Sequence, residues 1–181
     1  PYDAIVELIK NRKWESLNIG LEMDAHYFTA YSYKKLLDGL PNAKLIDSER
    51  LVNWARVVKS DAEINLMKKA SKITELGMKK AFEFIKPGVR QNDLVSEIAG
   101  TLIRGTNEYG GDYSAIVPLL PTGKGTSASH LTWSDKKFIE GEATIIELSG
   151  VYRRYHCPMA RTVLLGKPDQ KKIDTMKKTI E

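Results

Sequence analysis

The residues best suited to chemistry are an acidic residue, Glu147, and a histidine, His130, in the later half of the chain. Acidic residues are disfavoured in apolar strands, so Glu147 within ATIIELS indicates a site, with an ordinary strand carboxylate as the alternative. An imidazole gives and accepts protons near neutral pH, although a histidine taken alone is more often structural. Glu147 and His130 are therefore the two candidate catalytic residues.

Two apolar segments around Glu147 predict a β-hairpin. Residues 143–149 and 154–165 are rich in Ile, Val, Leu, Thr and Tyr, which favour strands. A short polar connection that begins at Gly150 separates them. The sequence therefore predicts an antiparallel hairpin with Glu147 in its first strand.

Proline at position 158 changes what this hairpin can bind. A register centred between Tyr152 and Arg153 places residue 158 opposite Glu147, with Cβ atoms roughly 4.5–5.5 Å apart on one face. Two carboxylates there would converge on metal ions roughly 3.5–4 Å apart, whereas Pro158 offers no ligand atom. Because proline also lacks a backbone N–H, Pro158 predicts an edge, a bulge or a local break in the second strand.

The stretch from His130 to Gly166 resembles the Xaa-Pro peptidase and creatinase family, whose catalytic domain has the pita-bread fold. Metal-dependent members carry an aspartate two residues before a glycine and, after a turn, a tyrosine, a second aspartate and an arginine–threonine pair. The corresponding residues in this sequence are Glu147, Ser149, Tyr155, Pro158, Arg161 and Thr162. The resemblance implies a hydrolase in which proline replaces a metal ligand, and hence a reaction without metal; a divalent Mn, Co or Zn ion is the alternative.

The same resemblance supports a role for His130. A histidine shortly precedes the metal strands in this family, and in creatinase, which works without metal, it is the proton-transfer group. The position of His130 matches it. The resemblance therefore implies that His130 is catalytic.

The phrases ASHLTW and ELSGVYRRYHCPMARTVLLGKP are most similar to the ectoine hydrolase branch of the family, whose members open a cyclic amidine. This branch implies a small zwitterionic substrate with an amidinium and a carboxylate. Glu147 would meet the cationic end, as an ion-pair partner, a nucleophile or a general base. His130 would move the proton to the departing nitrogen.

Four further residues are candidates for substrate binding. Trp133 would stack on the substrate cation, with a place in the core or an interface as the alternative. Arg161 or Arg154 would hold the substrate carboxylate through a bidentate contact. His156 shares the Glu147 face in the assumed register.

Composition limits the classes of function. With 181 residues, 42% of them hydrophobic and 28% charged, the sequence is typical of a globular protein with one or two cores. No apolar run approaches the ~18 residues of a membrane span, and no signal peptide is apparent, so we expect no membrane partner and a cytoplasmic location. The formal charge of +5 is spread over lysine-rich helices without a nucleic-acid-binding motif, so no nucleic-acid partner is expected.

The chain is predicted to contain two parts that join near residues 57–61. In the first part, helices and short strands alternate, which is typical of an α/β layer domain. The predicted helices are 2–13, 25–40 and a short one through Trp54, and the predicted strands are 17–22 and 43–47. The family resemblance implies that residues 1–58 are the carboxy-terminal portion of a creatinase-type amino-terminal domain.

Residues 59–181 are predicted to form the first half of a pita-bread domain, which makes the whole chain α/β (α+β). Ser60 and Glu63 form a capping box at the start of a long helix. The later elements are a helix at 92–104, a strand at 113–120, a flexible loop PTGKGTSAS, the hairpin, and a helix from Pro168 to the end.

Three functions remain open from the sequence. The first is a metal-free hydrolase that acts on a non-peptide C–N bond of a small zwitterion, as in ectoine ring opening. The second is an Xaa-Pro dipeptidase or aminopeptidase, which would need replacement metal ligands, and the third is a non-catalytic member that binds a ligand or partner. The resemblance also implies a longer protein that forms a homodimer, so this piece alone is expected to be inactive.

Overall fold

Six α-helices and four β-strands occur in residues 1–180, the part of the chain that this computed structural model describes. The chain divides into two units, Pro1–Lys59 and a second that begins at Ser60. Each unit mixes helices with strands, so the predicted α/β class is confirmed. The assignment of residues 1–58 and 59–181 to two family domains stays a prediction.

The first unit alternates helices with a two-stranded parallel sheet. Its elements are α1 (Tyr2–Asn11), β1 (Asn18–Leu21), α2 (Ala30–Gly39), β2 (Lys44–Asp47) and α3 (Leu51–Val57). α2 begins later than the predicted residue 25 because the Thr29 side chain accepts a hydrogen bond from the Ser32 N–H and caps the helix there. Ile9 and Leu36 are among the buried apolar residues of this unit.

Two long helices, α4 (Asp61–Phe84) and α5 (Gln91–Arg104), begin the second unit. α4 starts at the predicted capping box, in which the Ser60 hydroxyl accepts from the Glu63 N–H and the Glu63 carboxylate accepts from the Ser60 N–H. α5 ends at Gly105, whose φ of 67° is easily adopted only by glycine. Both predicted helices are therefore confirmed.

The predicted hairpin is present as β3 (Ala143–Tyr152) and β4 (Tyr155–Leu164). Its connection consists of Arg153 and Arg154, which have φ values of 47° and 70°. Positive φ at both central residues is what a type I′ turn requires, and this turn follows the twist of the two strands. The prediction that the connection begins at Gly150 is therefore wrong.

Gly150 lies inside β3 because α4 passes close to it. A Cβ at Gly150 would lie 2.5 Å from the backbone nitrogen of Thr74 and 2.6 Å from the carbonyl oxygen of Ala70. The Thr74 hydroxyl accepts from the Gly150 N–H over 2.9 Å and donates to the Cys157 carbonyl over 2.6 Å. Glycine at this position permits a helix contact and does not mark a turn.

The register of the hairpin also differs from the prediction. Glu147 lies opposite Ala160, and Pro158 lies opposite Ser149. Since β4 is displaced by two residues, and side chains alternate with a period of two, each side chain keeps its predicted face. Glu147 and Pro158 therefore share a face as diagonal neighbours, while Ile146 projects from the other face.

Residues 113–120 do not form the predicted strand. On the side of β3 away from β4, the segment makes two isolated bridges, Leu119 with Glu147 and Thr122 with Thr144, and single backbone hydrogen bonds to Ile145 and Val151, without a continuous ladder. Prolines at 118 and 121 lack the N–H that a continuous ladder would need. The loop predicted after them contains a 3-10 helix, Gly123–Ser127.

The last described element is α6 (Gln170–Ile180), which starts two residues after Pro168. The Asp169 carboxylate accepts from the Lys172 N–H over 2.8 Å, and this hydrogen bond lowers the pKa of Asp169. The predicted end of the helix at Glu181 lies outside the described residues. Within residues 1–180, no helix is long and apolar enough to cross a membrane.

Candidate functional site

Glu147 lies in the middle of β3 and is anchored through its backbone. Its N–H donates to the Leu119 carbonyl over 3.1 Å, and its own carbonyl accepts from the Leu119 N–H over 2.8 Å. The Glu147 side chain is 29% exposed, whereas the flanking Ile146 and Leu148 on the opposite face are fully buried. The carboxylate is thus held on a fixed strand with its head accessible.

His130 reaches the same place from the segment after the 3-10 helix. The next residue, Leu131, is fixed because its carbonyl accepts from the Leu120 N–H over 3.0 Å. His130 itself has a φ of 58°, an uncommon conformation for a residue with a side chain. Its ring is 73% exposed, and Nε2 lies 3.9 Å from Oε2 of Glu147.

The 3.9 Å separation brings the two predicted catalytic residues together without a hydrogen bond between them. Both side chains are therefore free to contact one small molecule at neighbouring atoms. A carboxylate accepts a proton, and an imidazole gives or accepts one near neutral pH. This arrangement is suited to proton transfer in hydrolysis, although the catalytic roles of His130 and Glu147 stay predictions.

Pro158 is exposed and costs the hairpin no hydrogen bond. The backbone groups of Ile145, Glu147 and Val151 bond to the segment on the far side of β3. By alternation, Ser149 and its partner Pro158 form a pair whose backbone groups point away from each other. Of the three predicted alternatives, the edge position is observed, since β4 pairs only with β3 among the described residues.

The side chains gathered at Glu147 do not fit a pair of metal ions by themselves. Its neighbours on the same face of β3 and β4 supply no second carboxylate; they are Ile145, Ser149, Pro158, Ala160 and Thr162. No group of three or more His, Cys, Asp or Glu side chains suited to a metal occurs in residues 1–180. One carboxylate and one imidazole are too few for a two-metal site in this part of the protein. The expectation that no metal takes part stays a prediction.

His156 shares the Glu147 face, as predicted from the sequence, but its ring is engaged by backbone groups. Nε2 accepts a hydrogen bond from the Ala115 N–H over 3.0 Å. Nδ1 therefore carries the proton and donates to the Arg154 carbonyl over 3.1 Å. Both ring nitrogens thus hold the segment around Ala115 against the hairpin.

Arg154 lies at the tip of the hairpin, away from Glu147. Its N–H donates to Asp112 Oδ2 over 3.2 Å, and its guanidinium carbon lies 4.0 Å from the ring centroid of Tyr113. The five residues of β3 between Glu147 and the turn span roughly 16 Å at about 3.3 Å per residue. The structure therefore does not bring Arg154 close to Glu147.

Arg161 and Trp133 also point elsewhere. Arg161 pairs with Ile146 and so projects from the face opposite Glu147, and its Nη1 donates to the Ala160 carbonyl over 2.7 Å. Trp133 is half-buried and packs against the hydrophobic core of the second unit. Their predicted contacts with substrate are not supported by these positions and stay untested.

One residue that positions the site does not stand out as a candidate in the sequence. Thr74 is fully buried in α4 and joins both strands through its hydroxyl. The sequence signal for Thr74 is its polar side chain beside Ile73, within the apolar stripe of α4. A polar residue in that stripe is expected to be buried, and a buried hydroxyl needs a hydrogen-bond partner.

The fold belongs to the pita-bread class, of which this chain forms part of a domain. The X-Pro aminopeptidase of Thermotoga maritima matches with a TM-score of 0.81 and 20% identity, over 96% of this chain and 46% of that chain. The prolidase of Pyrococcus furiosus matches with a TM-score of 0.79 and 20% identity, over 96% of this chain and 48% of that one. Residues 65–181 match the model of metallopeptidase family M24, and the chain belongs to this family. The family predicted from the sequence is confirmed.

Curated relatives differ widely in their similarity to this chain. Ectoine hydrolase of Halomonas elongata is 47% identical over 174 residues, which are 93% of this chain and 44% of that protein. An uncharacterized hydrolase/peptidase of Sinorhizobium fredii is 38% identical over 98% of this chain and 45% of its own length. The Xaa-Pro dipeptidase of Pyrococcus furiosus is 24% identical over 94% of this chain and 46% of its own length. The chain spans less than half the length of these relatives.

Proposed function

We propose that this protein is a hydrolase that opens a C–N bond in a small zwitterionic cyclic amidine such as ectoine. The observation that carries the proposal is the pair formed by Glu147 and His130, 3.9 Å apart, beside a hairpin face on which Pro158 leaves no second carboxylate. Such a site provides one anion for an amidinium and one group for proton transfer.

Sequence similarity favours ectoine as the substrate. Identity to an ectoine hydrolase is 47% over 93% of this chain, compared with 24% over 94% for an Xaa-Pro dipeptidase. The fold alone does not choose between these activities, because one fold hosts several functions. The choice rests on the closer similarity together with the side chains at the site.

The reaction needs one water molecule and one broken C–N bond. The oxygen of water bonds to the amidinium carbon while Glu147 accepts one of its protons. His130, in its protonated form, then donates a proton to one ring nitrogen, which leaves the carbon as an amine. The hydroxyl proton on that carbon passes to His130, and the proton on Glu147 passes to the amine, so the products are a neutral amide and an ammonium group.

Turnover of ectoine tests the proposal. The complete protein is incubated with ectoine, and ring opening is followed by proton NMR. We expect turnover by the unmodified protein and losses of roughly 10²- to 10⁴-fold in Glu147→Gln and His130→Ala, the usual contribution of a general base or acid. Glu83→Gln, an exposed change on α4, serves as the control and should keep full activity.

Unchanged ectoine with the unmodified, folded protein would contradict the substrate, and it is the result that a non-catalytic member of the family would give. Equal activity in both variants would contradict the assigned roles. A single turnover in ¹⁸O-water further separates two roles of Glu147. A general base leaves the label in the amide product, whereas a nucleophilic carboxylate that water releases by attack on its own carboxyl carbon takes the label into Glu147 and passes an unlabelled oxygen to the amide.

A metallopeptidase of the Xaa-Pro type is the second candidate, favoured by membership of family M24. Here the ligands missing at Pro158 would have to come from other residues. Isothermal titration of the complete protein with Mn²⁺, Co²⁺ and Zn²⁺, followed by an Xaa-Pro dipeptide assay, tests it. Tight binding of two ions with dipeptide cleavage would replace the first proposal with this one.

Self-association is proposed on the family resemblance alone. A homodimer is expected, and light scattering after size-exclusion chromatography measures it. A monomeric mass for the complete, active protein would contradict this part of the proposal.

A further inference from the structure

A cavity of about 440 Å³ lies between the start of α5, the 3-10 helix and residues 131–139. Neither Glu147 nor His130 lines it. Its volume is within the range of pockets that hold small organic ligands. Its apolar wall includes Leu120, Leu131, Ile139 and Trp133.

Gln91 gives this cavity a hydrogen-bonding group that the protein does not use. The residue lines the cavity and is only 7% exposed. Its Oε1 accepts from both the N–H and the hydroxyl of Ser134, over 2.9 and 3.1 Å. These bonds fix the amide orientation, so Nε2 presents two N–H groups that have no hydrogen-bond partner within residues 1–180. Nε2 is not one of the fully buried, unpaired polar atoms of the described residues, so it is accessible and can donate to an acceptor that enters the cavity.

The charges around the cavity favour an anionic ligand. Lys124, Lys136 and Lys137 line it, and none of the three forms an ion pair in the described part of the chain. Glu142 is the one carboxylate among the lining residues. Three ammonium groups against a single carboxylate favour an anion.

The nearby Arg90 is already committed to another partner. Its guanidinium donates two hydrogen bonds to Asp93, over 2.9 and 2.6 Å. This contact lowers the pKa of Asp93 and raises that of Arg90. The cation therefore does not compete with the lysines for an anion in the cavity.

We propose that the cavity binds a small organic carboxylate with a planar or branched apolar body. The carboxylate accepts from the Gln91 amide and is attracted by the lysines, while the body packs on Trp133 and the leucines. Stacking of Trp133 on a substrate cation is disfavoured by the same lysines. The site is separate from Glu147 and does not depend on the proposed hydrolysis.

Phenylacetate is a suitable probe because it combines a carboxylate with an aromatic ring. The complete protein is labelled with ¹⁵N-tryptophan, and the indole signal of Trp133 is assigned with Trp133→Phe. We expect phenylacetate to shift this signal saturably. Phenylacetamide, which lacks the charge, and acetate, which lacks the ring, should bind at least about tenfold more weakly, as the loss of a charge-assisted hydrogen bond or of apolar burial predicts.

Three variants identify the groups responsible. Gln91→Glu keeps an oxygen for the Ser134 N–H and replaces the free N–H groups with a negative charge, so phenylacetate affinity should fall at least about tenfold. Lys136→Gln and Lys137→Gln should each weaken binding roughly two- to fivefold, the range for an exposed charge pair. Lys68→Gln, an equal change of charge on the exposed side of α4, should leave affinity unchanged.

Several results would overturn the proposal. These are a Trp133 signal that does not move with phenylacetate, phenylacetamide binding as tight as that of phenylacetate, and normal phenylacetate binding by Gln91→Glu. Circular dichroism and the remaining indole signals check that each variant is folded. Because no step uses ectoine, these results are independent of whether the proposed hydrolysis occurs.

Discussion

The two faces of the β3–β4 hairpin differ in what determines their residues. On one face, Ile146 and Leu148 are fully buried, and Gly150 lies in backbone contact with α4. On the other face, Ser149 and Val151 are buried towards the turn, but Glu147 is partly exposed and Pro158 is exposed. The first face is shaped by packing against a helix, whereas the second leaves room for residues selected by chemistry.

The comparison explains how one strand serves two purposes. Burial of an apolar side chain such as Ile146 stabilises the fold by roughly 1.5–3 kcal/mol, so the covered face holds the strand in place. The strand in turn fixes the backbone of Glu147, which also exchanges two hydrogen bonds with Leu119. A carboxylate on a rigid strand is positioned with greater precision than one on a loop.

Adjacent residues on the two faces should respond oppositely to mutation. Ile146→Ala leaves a cavity under α4 and should lower the free energy of unfolding by about 2–5 kcal/mol. Glu147→Gln, one residue away, should change it by less than about 0.5 kcal/mol while activity is lost. Urea denaturation of the complete protein, followed by circular dichroism, measures both, and equal destabilisation would contradict the assignment of faces.

Gly150 provides a more local test of the covered face. Gly150→Ala places a methyl group 2.5 Å from the Thr74 nitrogen, so α4 or β3 must move, at a cost of roughly 1–3 kcal/mol or more. Gly110→Ala is the matched control because its added Cβ would meet nothing closer than 3.7 Å. Thermal unfolding compares the two variants. An equally mild effect in both would mean that the helix does not approach Gly150 as closely as described.

Removal of the Thr74 hydroxyl should lower the stability of the protein less than the addition of a methyl group at Gly150. Thr74→Val keeps the shape of the side chain but leaves the Gly150 N–H and the Cys157 carbonyl without their bridging partner, which should cost about 1–3 kcal/mol. Thr74→Ser keeps the hydroxyl and should retain most of that stability. Chemical denaturation of both variants separates the hydrogen bonds from the methyl group, and equal losses would show that the hydroxyl is not the source of the effect.

Elements with strong local signals were predictable from the sequence. The capping box at Ser60 and the apolar period after it define α4, and alternating apolar segments define the hairpin. The turn was not predictable, because Gly150 marks turns in general but here admits a helix. The actual turn residues, Arg153 and Arg154, carry no glycine signal for their positive φ values.

The candidate site was predictable in part for a related reason. Glu147 and His130 are chemically conspicuous, and the structure brings them together. The side chains assigned to substrate binding depend on tertiary position, which no local pattern encodes. His156 is held by the backbone of Ala115, and Arg161 follows the alternation of β4 to the opposite face.

Pro158 allows the smallest and most specific test of the two faces. Because Pro158 is exposed and its nitrogen lies on the free side of β4, Pro158→Asp should cost less than about 1 kcal/mol, chiefly through greater freedom of the unfolded chain. Met159→Asp, the next residue, would place a charge where the side chain packs against the core and should cost several times more. Denaturation of both variants in urea measures the ratio. If Pro158→Asp is as harmful as Met159→Asp, proline is required by the fold; if it is tolerated, the fold accepts a carboxylate beside Glu147, and the reason for proline lies in the chemistry of the site.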